Sequence, residues 1–175
     1  MSIVVGGNLR LLHIQVPITS GLKLPRFMPR PESHCDMLQA MNTGHEGSMT
    51  TIHANSAREA LVQIETMISL SGFTIQELAM RQMVSSSIDA ITQLSRGSDG
   101  TRRMMSLAEI SGMESGAISL QDIFIFDRRG VDAEGRIMGE FKATGVRPKF
   151  ADRCQIFGTT IPNEVFNPPE DYRGH

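Results

Sequence analysis

The sequence lacks several features that would place the chain in common classes of protein. It has only two cysteines, Cys35 and Cys154, which argues against a disulfide-stabilised secreted domain and favours the reducing cytoplasm. No segment approaches the ~20 apolar residues that a membrane-spanning helix needs, so no membrane insertion is expected. Residues 1–16 contain no continuous apolar core and therefore do not resemble a signal peptide.

Two kinds of binding site also lack support in the sequence. The net charge of −2 provides no excess of positive charge for a nucleic-acid surface. Neither cysteine has a second ligand at the spacing of a zinc site, because His34 directly adjoins Cys35 and Cys154 has no local partner. An apolar fraction of 40% is ordinary for a globular domain with its own core. We therefore expect no metal site and no nucleic-acid partner.

The most informative stretch is residues 36–60, DMLQAMNTGHEGSMTTIHANSAREA. Apolar residues recur there at helical spacing up to an Asn-Thr-Gly helix stop, and a short β-branched run follows at residues 48–54. Asn55 or Ser56 can cap a further helix, and Glu59 stands three residues beyond Ser56, at the spacing of a capping box. The pattern predicts helix, turn, strand, loop and helix. It places His53 at the carboxyl end of the strand, where parallel α/β sheets bind ligands.

These residues also carry a family resemblance. TGHEGSMTTIHANS resembles the histidine box of the type II/IV secretion-system ATPases, which are hexameric motors of the RecA-like P-loop class. DMLQAMNTGH and SMTTIHANS are most similar to the branch that drives tight-adherence (Flp) pilus assembly. The similarity continues over residues 36–166 through SSSIDAITQLSR, DGTRRMMSLAEISGME, ISLQDIFIFD and FKATGVRPKFADR.

The resemblance implies a fold and a role. The fold would be α/β: part of a RecA-like P-loop ATPase core, with three layers and a mainly parallel sheet, followed by a C-terminal β-hairpin and short helices. The chain would be the C-terminal segment of a motor that powers pilin or protein export by ATP hydrolysis. Intact relatives use ATP and Mg²⁺, form homo-hexamers, and act in the cytoplasm at inner-membrane secretion platform proteins without entering the membrane.

Two elements that such a motor needs are missing from the sequence. No G-x-x-x-x-G-K-[ST] loop occurs, although its backbone N–H groups and lysine would hold the phosphates. The glutamate that the family carries just before the Asp-Met-Leu run is replaced by Met28, in a segment with three nearby prolines, Pro25, Pro29 and Pro31. The chain alone is therefore not expected to bind ATP and Mg²⁺ tightly, and its ATPase activity is left open.

The missing elements predict an organisation in three parts. We expect residues 1–35 to be a divergent or non-native, poorly ordered leader, produced by a frameshift, a truncation, a misassigned start or true divergence. Residues 36–166 would form the ATPase segment, and residues 167–175 a coil tail. Two alternatives to a motor segment are a non-enzymatic interaction module, which binds full-length subunits or the membrane platform, and a non-functional truncated product.

The resemblance supplies the candidate catalytic residues, His53, His45 and Thr51, and a partial ATP site formed by His53, Thr50 and Thr51. The imidazole of His53 could contact the terminal phosphate or the catalytic acid; the alternative is a core histidine bonded to a backbone carbonyl. His45 lies in a glycine-bracketed turn, where the alternative is simple solvation. Thr50 and Thr51 alternate on the strand, so only one of them can face a ligand.

The remainder of the sequence predicts further elements. Helices are expected at residues 57–70, from a Thr74 capping box to residue 86, and within residues 148–157. A hairpin of residues 88–94 and 102–111 should be followed by an apolar strand, a polar excursion at residues 128–139 and a last strand near residue 140. The arginine pairs Arg102–Arg103 and Arg128–Arg129 are either solvated or face a neighbouring subunit of a hexamer.

Overall fold

The structure is a computed structural model, and it describes residues 11–15, 49–72, 74–156 and 158–168. For residues 11–15, 49 and 50 only the backbone is described. Six strands are present in this part of the chain: β1 Leu11–Gln15, β2 Met49–Ile52, β3 Ala90–Arg96, β4 Arg102–Glu114, β5 Ala117–Val131 and β6 Ile137–Ala143. The α-helices are α1 Ala57–Leu70, α2 Glu77–Ser87 and α3 Lys149–Ile156, and a short 3₁₀ helix spans Asn163–Phe166.

All six strands belong to one sheet, in the order β2-β1-β3-β4-β5-β6. β1 pairs in parallel with both β2 and β3, whereas β3, β4, β5 and β6 form an antiparallel meander. The predicted α/β class is confirmed, but the sheet is not mainly parallel as predicted, because only two of its five strand pairs are parallel. The antiparallel region is longer than the single expected hairpin, because β5 and β6 extend it.

Helices cover both faces of the sheet, and the register of β3 shows how they do so. Ile91 packs in the larger core cluster, with apolar side chains of α1 and α2, while its neighbour Ala90 packs with Phe150 and Cys154 of α3. Successive side chains of a strand point to opposite faces, so the two clusters lie on opposite sides of the sheet. A third cluster around Ile123 completes the layer under α3. The fold therefore has three layers.

Helix α1 begins where the sequence predicts, but only half of the predicted capping box forms, because Glu59 accepts from the backbone N–H of Asn55 and not from that of Ser56. Ser56 is its N-cap, and the Ser56 hydroxyl accepts a hydrogen bond of 3.1 Å from the backbone N–H of Glu59. The apolar positions of α1 then repeat toward the sheet, with Ala60, Leu61, Ile64 and Ile68 all buried. The predicted capping box at Thr74 is wrong, because α2 begins only at Glu77 and its N-cap, Gln76, makes no side-chain capping bond.

Turn geometry fixes the hairpins of the meander. Ser115 and Gly116 join β4 to β5 with positive φ angles of 50° and 81°, as in a type I′ turn, whose twist matches that of the flanking strands.

The predicted polar excursion at residues 128–139 is wrong over much of its length. β5 continues to Val131 and β6 starts at Ile137, so only the short turn between them is outside the ladder.

Strand β1 lies within the segment for which the sequence indicates only weak strand or coil. Leu11–Gln15 nevertheless occupies an interior position of the sheet, between β2 and β3. The rest of residues 1–35, the helix predicted at residues 36–43 and the tail from residue 169 lie outside the described residues. None of the described helices is long and apolar enough to span a bilayer.

Candidate functional site

The carboxyl ends of the parallel strands β1, β2 and β3 meet at one edge of the sheet. The register pairs Leu11 with both Met49 and Ala90, so the three strands run in the same direction from a common start. His53 directly follows the last residue of β2, and the hairpin of residues 97–101 follows β3. This edge is where ligands bind in parallel α/β sheets, because loops and helix N-termini collect there.

The side chains at the end of β2 alternate between core and solvent. Ile52 and Ala54 are buried in the cluster under α1, whereas Thr51 and His53 are exposed. Thr51 and His53 therefore share the face of the strand opposite α1. Thr50 lies in β2, but its side chain is outside the described part, and His45 lies outside it altogether.

The segment of residues 53–56, which links β2 to α1, is fixed by side chains from two elements. Glu59 of α1 accepts hydrogen bonds from the backbone N–H of Asn55 at 3.0 Å and from its side-chain amide at 2.8 Å. Gln93 of β3 donates from Nε2 to the backbone carbonyl of Asn55 at 2.6 Å. Both backbone polar groups of Asn55 thus have a side-chain partner, and the residues after His53 have a defined conformation.

A partly buried ion pair orders the hairpin that follows β3. Arg103 donates two hydrogen bonds to the carboxylate of Asp99, at 3.0 and 2.7 Å. Asp99 also accepts from the backbone N–H groups of Thr101 and Ile137, both at 3.0 Å, so it joins this hairpin to the start of β6. At Gly97 an added Cβ would lie 2.7 Å from Asp99 Oδ1, which explains the absence of a side chain. The hydrogen bonds from Arg103 and Ile137 hold the pKa of Asp99 well below its usual range.

The depressed pKa of Asp99 predicts a loss of stability in acid. A carboxylate whose pKa is lower in the folded state stabilises the fold above the unfolded pKa of about 4, and this stabilisation is lost as the pH falls through the folded value. We expect Asp99→Asn to lower the urea midpoint at pH 7, with a difference from wild type that shrinks steadily below about pH 4. Urea unfolding measured from neutral to acid pH tests this.

Asp122→Asn is the control for the acid experiment. Asp122 is an exposed aspartate of β5, whose side chain bonds to no other described residue. Its substitution should leave the urea midpoint close to that of wild type at every pH. A constant difference between Asp99→Asn and wild type from neutral to acid pH would contradict a role for the Asp99 carboxylate.

The arginine pairs are not equivalent. Arg103 is held by Asp99 and lies 6.0 Å above the ring of Phe126, and Arg129 pairs with Glu140 at 3.0 Å. Arg102 and Arg128 are exposed and make no ion pair with another described residue. Arg129 stays 61% exposed within its ion pair, whereas Arg103 is 22% exposed. The solvated or subunit-facing alternative therefore stays open for every one of these arginines except Arg103. Within the described residues, no group of histidine, cysteine and carboxylate side chains could hold a metal ion.

Sequence reasoning missed Gln93 and Asp99. Gln93 stands as a polar residue in the apolar strand sequence AITQLSR, which is the only signal that could have singled it out. Asp99 sits in a Ser-Asp-Gly turn, and a turn residue of this type is usually read as solvated. Gln93 bonds to Asn55 and Asp99 to Ile137, each 38 residues away in the chain, and no local pattern shows such a contact.

Comparisons with known proteins identify the family. Residues 30–144, well over half of the chain, match the family described as type II/IV secretion system protein. The chain is 37% identical over 76 residues to the conjugal transfer protein TrbB of Rhizobium radiobacter, covering 43% of this chain and 22% of that protein. It is 29% identical over 93 residues to a chain of Mycobacterium tuberculosis that is named as a conjugal transfer protein, covering 53% and 26%.

A similarity to a solved structure was also found. The crystal structure of the VirB11 ATPase from the Brucella suis type IV secretion system, in complex with sulphate, matches with 19% identity and a TM-score of 0.42. The match covers 58% of this chain and 41% of that one. The chain spans about a quarter of the length of the curated relatives it matches. From the extent of the family match, the chain belongs to the type II/IV secretion system protein family.

Proposed function

We propose that this chain contributes the histidine-bearing edge of a nucleotide site in a secretion or pilus-assembly motor ATPase. ATP and Mg²⁺ would bind at the carboxyl edge of β1, β2 and β3, and His53 would contact the terminal phosphate or the residue that activates water. The motor would work as a homo-hexamer at the cytoplasmic face of the inner membrane, on platform proteins that export pilin or protein. The sequence of the histidine box favours the tight-adherence branch.

The observation that carries the proposal is the position of His53. It follows a strand that belongs to the parallel part of the sheet, it is exposed, and it shares a strand face with Thr51. An imidazole and a hydroxyl on one exposed face can donate hydrogen bonds to phosphate oxygens. The family match places this segment in a secretion-system protein. Two relatives are named as conjugal transfer proteins, one of them as a putative one.

We expect the chain alone to hydrolyse no ATP. The sequence contains no phosphate loop lysine, and the acidic residue that would organise Mg²⁺ is replaced by Met28. Phosphate release from MgATP should therefore proceed no faster with the chain than in buffer. Millimolar MgATP should still move the NMR signals of residues 51–56, because the exposed edge contacts the phosphates weakly.

His53→Ala is the matched variant for both measurements. It should remove the nucleotide-dependent shifts at residues 51–56 and leave phosphate release at the level of buffer. Phosphate release above buffer that disappears in His53→Ala would contradict the expected inactivity. Shifts confined to the hairpin between β5 and β6 would contradict the placement of the nucleotide.

A non-enzymatic role is the second candidate, and two exposed arginines favour it. The chain would then assemble with full-length subunits or with the membrane platform without hydrolysing ATP. The exposed arginines Arg102 and Arg128 are available for acidic groups of a partner. Absence of any MgATP-dependent signal at residues 51–56, together with binding to a full-length subunit, would favour this candidate over the first.

A further inference from the structure

Gln93 connects the middle of the sheet to the segment that follows His53. Its amide nitrogen lies 2.6 Å from the backbone carbonyl oxygen of Asn55, a residue 38 positions earlier in the chain. The backbone N–H of the same residue is held by Glu59 from α1. Asn55 is therefore fixed from two directions by side chains that belong to different elements, and the position of the segment depends on both.

The ladder between β3 and β4 helps to orient Gln93 for this contact. Gln93 pairs with Ser106 and Leu94 with Met104, so Met105 of β4 is an extra residue beside Gln93, as in a β-bulge of β4. Ser106, which pairs with Gln93 in the ladder, approaches the other end of the Gln93 amide, with its hydroxyl 3.5 Å from Oε1. The carboxamide is thus oriented so that its donor faces Asn55.

We propose that Gln93 is a positioning residue that sets where the His53 imidazole lies at the carboxyl edge of the sheet. A displacement of the β3–β4 hairpin would pass through Gln93 to Asn55 and so to His53. The position of His53 matters for contact with a nucleotide, and this consequence rests on the proposed function. The positioning itself is a property of the chain without nucleotide and is tested there.

The test uses substitutions of Gln93 in the full chain without nucleotide. Gln93→Leu should increase hydrogen exchange of the Asn55 amide by about fivefold to tenfold, because the segment opens more often when one of its two anchors is lost. The ring signals of His53 should move as well. The control is Gln121→Leu, since Gln121 is an exposed glutamine of β5 whose side chain bonds to no other described residue. Gln121→Leu should change neither the hydrogen exchange of the Asn55 amide nor the ring signals of His53.

Two further variants separate positioning from packing. Gln93→Lys keeps a donor for the Asn55 carbonyl, whereas Gln93→Glu keeps the shape of the side chain and loses the donor. If Gln93 positions this segment, hydrogen exchange of the Asn55 amide should be as slow as in wild type in Gln93→Lys and faster in Gln93→Glu. The His53 ring signals should move only in Gln93→Glu. Equal exchange in the two variants, or an increase that spreads evenly through α1 and β3, would overturn the proposal.

Failure of this inference can be distinguished from failure of the proposed function. If MgATP moves no signal at residues 51–56 of the wild-type chain, the nucleotide role fails. The comparison of Gln93→Lys with Gln93→Glu still decides the positioning, because it contains no nucleotide. If MgATP moves those signals equally in wild type and Gln93→Glu, and exchange at Asn55 is also equal, Gln93 does not position His53.

Discussion

Replacing Ile64 by alanine is expected to lower the free energy of unfolding by about 2–5 kcal/mol. Ile64 lies on the buried face of α1 with 1% of its surface exposed, in the cluster that joins both N-terminal helices to the sheet. The substitution removes apolar contacts and leaves a cavity, because close-packed neighbours such as Val84 and Ile91 relax only partly. Urea unfolding followed by circular dichroism gives the change as a lower midpoint with an unchanged slope.

Ile156→Ala is the matched control for this experiment. Ile156 ends helix α3 with 78% of its surface exposed, so the same atoms are removed from a site that buries little of them. Its effect should stay within about 0.5 kcal/mol of zero. Comparable losses in the two variants would show that the cluster under α1 is not the main core of the fold.

The second large effect is expected at Glu109. This glutamate of β4 is 5% exposed, and its carboxylate accepts hydrogen bonds from the backbone N–H groups of Lys149 at 3.0 Å and Phe150 at 2.9 Å. These two N–H groups belong to the first turn of helix α3, where no intrahelical acceptor is available and negative charge is favoured. Glu109→Ala leaves both donors without this acceptor, and should lower the free energy of unfolding by about 1–3 kcal/mol.

Hydrogen exchange along α3 shows whether the loss of stability in Glu109→Ala is confined to that helix. Hydrogen exchange in Glu109→Ala should increase first along residues 149–156, because the helix loses its N-terminal acceptor. Glu114→Ala is the control from the same strand, since Glu114 is exposed and its side chain bonds to no other described residue. Unchanged protection of α3 in Glu109→Ala would refute the capping role.

Elements with local signals were predictable from the sequence. The β-branched run before His53 forms β2, and the Ser56–Glu59 spacing caps α1, because both depend on neighbouring residues only. The hairpin turn at Ser115–Gly116 was predictable for the same reason. The capping box proposed at Thr74 was wrong because α2 starts only at Glu77. A capping spacing alone does not fix the start of a helix.

Features that depend on distant pairing were not predictable. Leu11–Gln15 is short and has weak periodicity, and it becomes an interior strand only because β2 and β3 supply backbone partners on both sides. The hydrogen bond from the Gln93 side chain to Asn55 likewise depends on segments that are distant in the sequence. Of the candidate site, the sequence indicated the exposed edge with Thr51 and His53, while the roles of these side chains and of His45 and Thr50 stay predictions.

The order of the strands also has a consequence for how the sheet forms. Each pair within the β3–β6 meander joins strands that follow one another along the chain, across short turns that cost little loop-closure entropy. β1 instead pairs with β3 across a segment that contains β2 and the described helices α1 and α2. Contacts of such high sequence separation are the slow ones in folding. The parallel part, which carries His53, is therefore expected to pair later in folding than the β3–β6 meander.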